Sequence, residues 1–559
     1  MLSLLLAHTI ITFCCYWSGF LFYKLISRKA IQRPIIFYLI SGLVLLSVIT
    51  QFIVLFFPIG SMVQVALVII LGAIAVFKWN DCKNLFKKFF SEFSTWPTLL
   101  VILFFLTCTV ILLINAGPTM MDDTESYHIQ SVKWMQEYGS VPGIVNLHVR
   151  FGFNSSWFSS VALFSFSSKT TGGFTVMNSI ISVWLCYWFI EKFNHFQKGN
   201  NVQAAFAVLS IFIVSLAIWP LMRGNAATTN YDFITTFIVL ILFTEVFFSE
   251  KTSPSIEWII WPVYLLTVRL INFPLLLLSL FAFTVFIKQK QTRQLLLPTV
   301  YCLLLIVPFL IRSIIIAGYP FYPATYFDFT NVDWKADPQI TEGFLEFIKY
   351  YNRVSTTYFD IEQTKALGSA WVPAWFEYLF PYDKILVLSG FTGILLTAIK
   401  LFIQKINHNK SIITGLMILW PVSWFLVAPD PRFVYGILLF GTFLLAYHLI
   451  SFIKRPASIK FLFNVLLMLM IAGLSYYLVS KPLKQTEYRN WILPLQLPQP
   501  TVKEPEIDGI TFRIPELINN NWNERCYGTE LPCLYKIDHR LKPRGKNIRS
   551  GFHLEKSSH

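Results

Sequence analysis

Residues 97–156 read PTLLVILFFLTCTVILLIN and then, without a break, AGPTMMDDTESYHIQSVKWMQEYGSVPGIVNLHVRFGFNSS. The first part, 97–115, is apolar throughout and long enough to cross a bilayer as one helix. The second part, 116–156, gathers Asp122, Asp123, Glu125, His128, Lys133, His148 and Arg150, with Tyr127, Trp134, Tyr138, Phe151 and Phe153 threaded among them. The next long apolar run begins near residue 172. In a chain only 13% charged, this is where ionisable groups crowd beside a span. Such groups face a cavity or the water interface, which marks a functional site.

Working outward, the same alternation of apolar run and short polar segment fills the chain. Mean hydropathy is +0.58. With 55% apolar residues and 54 Phe among 559, an ordinary soluble domain is excluded. The runs are continuous rather than alternating, which excludes a β-barrel. The pattern predicts an all-α polytopic membrane protein of about fourteen transmembrane helices. They fall near 2–23, 35–57, 61–78, 97–115, 172–190, 202–220, 231–248, 257–268, 271–287, 295–316, 383–402, 411–428, 433–453 and 461–480. Residues 157–168 are too short to cross and predict a re-entrant or interfacial helix.

The net charge of +15 is explained by placement. Basic residues cluster in alternate loops: Lys24, Arg28, Lys29 and Arg33; Lys78, Lys83, Lys87 and Lys88; Lys192 and Lys198; Lys251; Lys288, Lys290 and Arg293; Lys400, Lys405 and Lys410; Lys454, Arg455 and Lys460. Lys and Arg mark cytoplasmic loops, so both termini and the loops 116–168 and 317–382 are expected outside. No basic residue precedes Lys24, so 2–23 reads as a first span rather than a secretory signal.

Residues 1–480 then form a transmembrane domain and 481–559 an external tail. The tail opens with a proline-rich linker, LPLQLPQPTVKEPE, and continues into a small module. Cys526 and Cys533 stand together there and, on an oxidising side, would close a disulfide; two free thiols is the alternative. Cys14, Cys15, Cys108, Cys186 and Cys302 lie in apolar runs, as small hydrophobes do. In the loop 317–382, EGFLEFIKYYNRV places Phe344, Ile348 and Tyr351 on one helical face.

Asp123 is the leading chemical candidate. A carboxylate at the interface can act as general base. It can equally bind a divalent cation with Asp122 or Glu125, or cap the helix that follows. His128 is suited either to proton transfer or to a structural hydrogen bond, and its distance from His148 is not that of a zinc site. Arg150, Arg223, Arg269, Arg312 and Arg432 fall at external span ends, where guanidinium groups bind phosphate or snorkel to the interface. Arg432 sits in APDPRF, whose Pro429 and Pro431 stiffen the turn around Asp430. The tail run with Lys536, Arg540, Lys542, Arg544, Lys546 and Arg549 suits anionic headgroups or plain solvent, and nothing favours nucleic acid.

The string DTESYHIQSVKWMQEYGSVPGIVNLHVRFGFNSS at 123–156, with GYPFYP, APDPRF and RGKNIRSGF, resembles a group of bacterial multi-pass membrane proteins. Through topology and the acidic first external loop, it also resembles the GT-C glycosyltransferase superfamily. The resemblance implies an inner-membrane enzyme moving a sugar from a polyprenyl-phosphate donor to a glycan or lipid acceptor at the external face. It implies Asp123 as catalytic base, with Asp122, Glu125 and His128 beside it. Glu125 and Ser126 depart from the small or apolar residues usual after the Asp-Thr pair. Lys133, Arg150, Asn154, Arg223, Arg269, Arg312 and Arg432 form the expected substrate- and phosphate-binding set. No cofactor is implied beyond a divalent cation, and membrane lipids are the other partner. A rival expectation is a transporter or flippase of a lipid-linked saccharide, without covalent chemistry.

Overall fold

The computed structural model describes residues 1–26, 33–166, 169–249, 254–354, 360–403, 408–452, 456–516 and 525–555, with backbone alone at 408–409 and 456–458. Arg28, Lys29, Lys251, Lys405, Lys454 and Arg455, six of the orienting basic residues, lie outside the described residues.

Apolar runs form helices wherever they were expected. The first five are α1 (Leu2–Ile26), α2 (Ile35–Phe56), α3 (Ser61–Phe77), α4 (Trp79–Ser94) and α5 (Thr98–Asn115). The acidic loop carries α6 (Ile129–Glu137) and α7 (Ser156–Phe164). Then come α8 (Thr171–Lys198), α9 (Val202–Ala217), α10 (Asp232–Phe248), α11 (Glu257–Val268), α12 (Leu276–Lys288) and α13 (Leu296–Ala317). The second large loop holds α14 (Pro338–Tyr351), α15 (Ile361–Ala366) and α16 (Trp371–Tyr378). The last four are α17 (Pro381–Ile403), α18 (His408–Val427), α19 (Tyr435–Leu449) and α20 (Pro456–Lys484).

Among the described residues, ten helices are long and apolar enough to cross a membrane, or eleven if the bent pair α3–α4 counts as one. The chain is therefore a multi-pass α-helical membrane protein. The expected count of fourteen is not reached by this measure. Spans expected at 61–78, 202–220, 231–248 and 257–268 meet helices of only 17, 16, 17 and 12 residues. The basic stretch after Lys78 is also not a loop. The chain turns by 98° there into α4, which buries Cys82 and Leu85, leaves Lys83 and Lys87 exposed and folds Lys88 back over the Tyr38 ring. Large apolar residues remain exposed on span surfaces, Ile69, Ile70, Phe402, Met468 and Leu469 among them, as lipid contact requires.

Helix ends sort into two groups. The Leu2 amide donates to Trp491 O (3.0 Å), Leu495 to Ala116 O (2.9 Å) and Thr171 to Leu495 O (2.8 Å). The starts of α1 and α8, the end of α5 and the segment after α20 thus meet on one side. The opposite ends join through Lys24–Asp81 (2.5 Å), Arg33–Glu257 (3.3 Å) and Lys198 Nζ to Thr95 O (2.8 Å). Small residues let neighbouring helices touch backbone to backbone. A Cβ on Gly42 would stand 1.7 Å from Cys15 O of α1, and one on Gly393 would stand 1.9 Å from Gly441 O of α19.

Beyond Lys484 the described helical segments of the tail are two single 3-10 turns, Thr486–Tyr488 and Ile548–Ser550. Among its described residues the tail forms three two-stranded antiparallel ladders: Val502–Lys503 with Ile514–Pro515, Glu506–Ile507 with Ile510–Thr511, and Leu541–Pro543 with Phe552–Leu554. Cys526 and Cys533 are joined as a disulfide. Part of the tail's basic run is occupied by protein acids. Arg540 pairs with Asp538 (2.9 Å) and Asp337 (3.0 Å), and Arg544 with Asp333 (2.6 Å), so these arginines fasten the tail to the second large loop.

Candidate functional site

Three chain segments meet above the spans. The first is the start of the acidic loop, where Met121 takes a left-handed backbone (φ 79°) and the chain enters a π-helical turn, Thr124–His128. A left-handed non-glycine residue and a π turn both cost energy, and both concentrate at functional sites. The other two are the start of α10 with its preceding loop, and the turn APDPRF between α18 and α19.

Asp123 lies where these segments converge, its side chain 23% exposed. It makes no capping hydrogen bond, so the capping reading is not realised. Instead its two oxygens take two arginines, Arg150 Nη1 at 3.3 Å and Arg432 Nη1 at 3.2 Å. Arg432 also pairs with Asp430 (2.8 Å) and approaches Asp232 (3.9 Å). Asp232 pairs in turn with Arg269, whose guanidinium lies 3.6 Å over the Phe433 ring. Burial opposes ionisation of Asp123, but Arg432 and Arg150 favour it, and the carboxyl is held below its ordinary value.

These groups line a cavity of about 560 Å³. Its polar floor holds Asp123, Arg150, Asp232, Arg269 and Arg432, and its apolar side is the face of α14 with Phe344, Phe347, Ile348 and Tyr351. The amphipathic face read from the sequence is therefore the face that covers the site. Three arginines meet three carboxylates here, so an incoming anion competes with those carboxylates for the guanidinium groups.

The remaining candidates divide. His128 lines the cavity but is 1% exposed, packed against Tyr127, Phe158 and Tyr231. Burial first, then the neighbouring arginines, push it down to about 3, which favours the neutral imidazole. Asp122 and Glu125 bind Arg525 of the tail at 2.5 and 3.1 Å, and Glu125 also accepts from Thr119 (2.7 Å). They are not free companions for a cation at Asp123. Among the described residues no three His, Cys, Asp or Glu side chains could together hold a metal ion.

Lys133 points to the tail, donating to Gly528 O and Thr529 O at 2.8 Å each. Arg312, 4% exposed, donates to Asn154 (2.6 Å), which donates to Phe309 O (2.6 Å). Arg223 donates to Ala217 O and lies 5.4 Å from the rings of both Trp219 and Tyr477. None of Lys133, Asn154, Arg223 and Arg312 lines the cavity. Of the expected binding set, Arg150, Arg269 and Arg432 converge.

Sequence reasoning missed Asp232 and its neighbours Asn225, Asn230 and Tyr231, all on the cavity wall. The signal was there: GNAATTNYD at 224–232 is a polar run between two apolar ones. Asn178 from α8 holds it in place, donating to Thr228 Oγ1 and Asn230 O at 2.9 Å each.

A family model described as a domain of unknown function (DUF8201) matches residues 1–439. No curated protein and no solved structure matches the chain.

Proposed function

We propose, for a chain that belongs to the DUF8201 family of domains of unknown function, that it is a membrane glycosyltransferase using a polyprenyl-phosphate-linked sugar. One observation carries the reading: Asp123 stands between Arg150 and Arg432 in a cavity whose floor is charged and whose side is aromatic. That combination suits an amphiphile with an anionic head, and arginine is the side chain best matched to phosphate. The setting is the bacterial inner membrane, with fourteen crossings, both termini outside and the cavity open to the external face. The two groups of helix ends support that topology.

In the reaction, an acceptor hydroxyl oxygen attacks the sugar C1. The bond from C1 to the phosphate oxygen breaks, and polyprenyl phosphate departs with the electron pair. The hydroxyl proton passes to Asp123. Arg150, Arg269 and Arg432 neutralise charge on the leaving phosphate. Drawing Arg150 and Arg432 toward phosphate also removes the charges that keep Asp123 a weak base, so donor binding switches the base on.

The test is incubation of the protein, in nanodiscs, with a panel of polyprenyl-phosphate monosaccharides and a glycan acceptor. Release of polyprenyl phosphate with gain of one sugar on the acceptor is expected. Movement of an intact lipid-linked sugar across proteoliposomes without release would replace the transferase by a transporter.

A further inference from the structure

We propose that Arg525, in the C-terminal tail, is a positioning residue for Asp123: it engages the two neighbouring carboxylates so that, of the three, Asp123 alone pairs with Arg150 and Arg432. This rests on the reading of Asp123 as the reactive carboxylate.

Three acids at 122, 123 and 125 lie within four residues and repel one another. Asp123 faces the cavity arginines, with Tyr127 and His128 on the turn beneath it. The other two acids pair with a different cation: the tail supplies one guanidinium for both, 2.5 Å from Asp122 at the cavity edge and 3.1 Å from Glu125. Glu125 is only 8% exposed, and a buried carboxylate deprived of its cation is costly.

Arg525 is delivered by a docked segment, not by a loose end. The Tyr527 amide donates to Glu125 O (2.8 Å). From α6, Gln130 donates to Tyr527 O (2.9 Å) and Thr529 O (3.0 Å), and Lys133 donates to Gly528 O and Thr529 O. The π turn and α6 are therefore clamped from behind by residues 525–529. The family match ends at residue 439, so this rear wall is added by chain beyond it.

The experiment uses full-length protein in nanodiscs. Hydrogen exchange is followed by mass spectrometry over 119–133, and polyprenyl phosphate serves as the binding and release probe. Arg525→Ala is expected to speed exchange in that segment by about tenfold, with peptides from α8 and α19 unchanged. The turnover rate of release should fall by about tenfold or more, while the Kd for polyprenyl phosphate stays at the wild-type value because Arg150, Arg269 and Arg432 are untouched. Arg525→Lys, which keeps the charge, should recover both. Wild-type exchange over 119–133 in Arg525→Ala overturns the proposal, as does a lysine variant no better than alanine. If the alanine variant does not accumulate, Arg525→Gln carries the same comparison. Exchange is read without turnover, so if the wild type releases no polyprenyl phosphate the transferase reading fails while the role of Arg525 is still decided.

Discussion

Asp123 and Arg432, 309 positions apart in the chain, meet at 3.2 Å, and Arg150 closes on the other oxygen of the same carboxylate. A carboxylate so held is ionised but weakly basic. An anion that recruits both arginines would raise its proton affinity, which ties substrate binding to proton transfer.

The first prediction reads that link through pH. The arginines hold the Asp123 carboxyl below its ordinary value, so the acidic limb of kcat/KM, which reports the free enzyme, should lie below the ordinary carboxylate range. The limb of kcat reports the donor-bound state and should lie at higher pH. No break near neutrality is expected from His128, which is pushed down to about 3. Coincident limbs in the two profiles would refute the switch. Stability follows the same sign. The contribution of the ionised Asp123 is present above the ordinary carboxyl value and is lost as pH falls through the lowered one.

The second concerns the arginines one by one. Arg150→Ala and Arg432→Ala should each weaken binding of polyprenyl phosphate by about tenfold or more. Arg223→Ala and Arg312→Ala should leave it unchanged, because neither lines the cavity. Arg269→Ala leaves Asp232, only 7% exposed, without its closest cation, and should cost about 3–5 kcal/mol of stability. Ligand titration and thermal unfolding of the five variants check these orders, and equal weakening by Arg312→Ala would remove Arg150 and Arg432 from their special place.

Much of this was legible in the sequence for simple reasons. Membrane spans follow from length and hydropathy, and the face of α14 from a 3.6-residue period. Asp123, Arg150 and Arg432 stood out because charge is rare in this chain. What could not be read was direction. Lys133 and Glu125 look equivalent to Arg150 and Asp123 in a string of letters, yet α6 and the turn before it send them backward to the tail. Asp232 was hidden by its place at the first turn of an apolar run. Length and apolarity alone stop short of fourteen at α3, α9, α10 and α11, because short helices need not match the bilayer thickness.

A third prediction tests sidedness. Ser155 is unsuitable for labelling, since it is 3% exposed and its hydroxyl donates to Val268 O (2.8 Å). Glu342 on α14 and His539 in the tail are exposed. Glu342→Cys and His539→Cys should both react with an impermeant thiol reagent on intact cells. Reaction only after lysis would reverse the orientation.

The last prediction is the substitution that separates chemistry from architecture. Asp123→Asn should lower transfer by a factor of about 10²–10⁴ while the protein still accumulates in the membrane. An amide retains an oxygen that accepts from one arginine, and Asp232 and Asp430 remain to balance Arg269 and Arg432, so the fold loses little. Binding of polyprenyl phosphate should tighten, because the anion no longer competes with a carboxylate for Arg150 and Arg432. A purely structural Asp123 predicts the reverse: no loss of rate in the protein that accumulates. Asp122→Asn and Glu125→Gln are the controls. Both acids pair with Arg525 rather than with the cavity arginines, so their loss should change turnover far less than loss of Asp123 and leave donor affinity alone. Near-normal transfer by Asp123→Asn, with Glu125→Gln inactive, would move the base two residues along the π turn and require that turn to rotate in the donor complex.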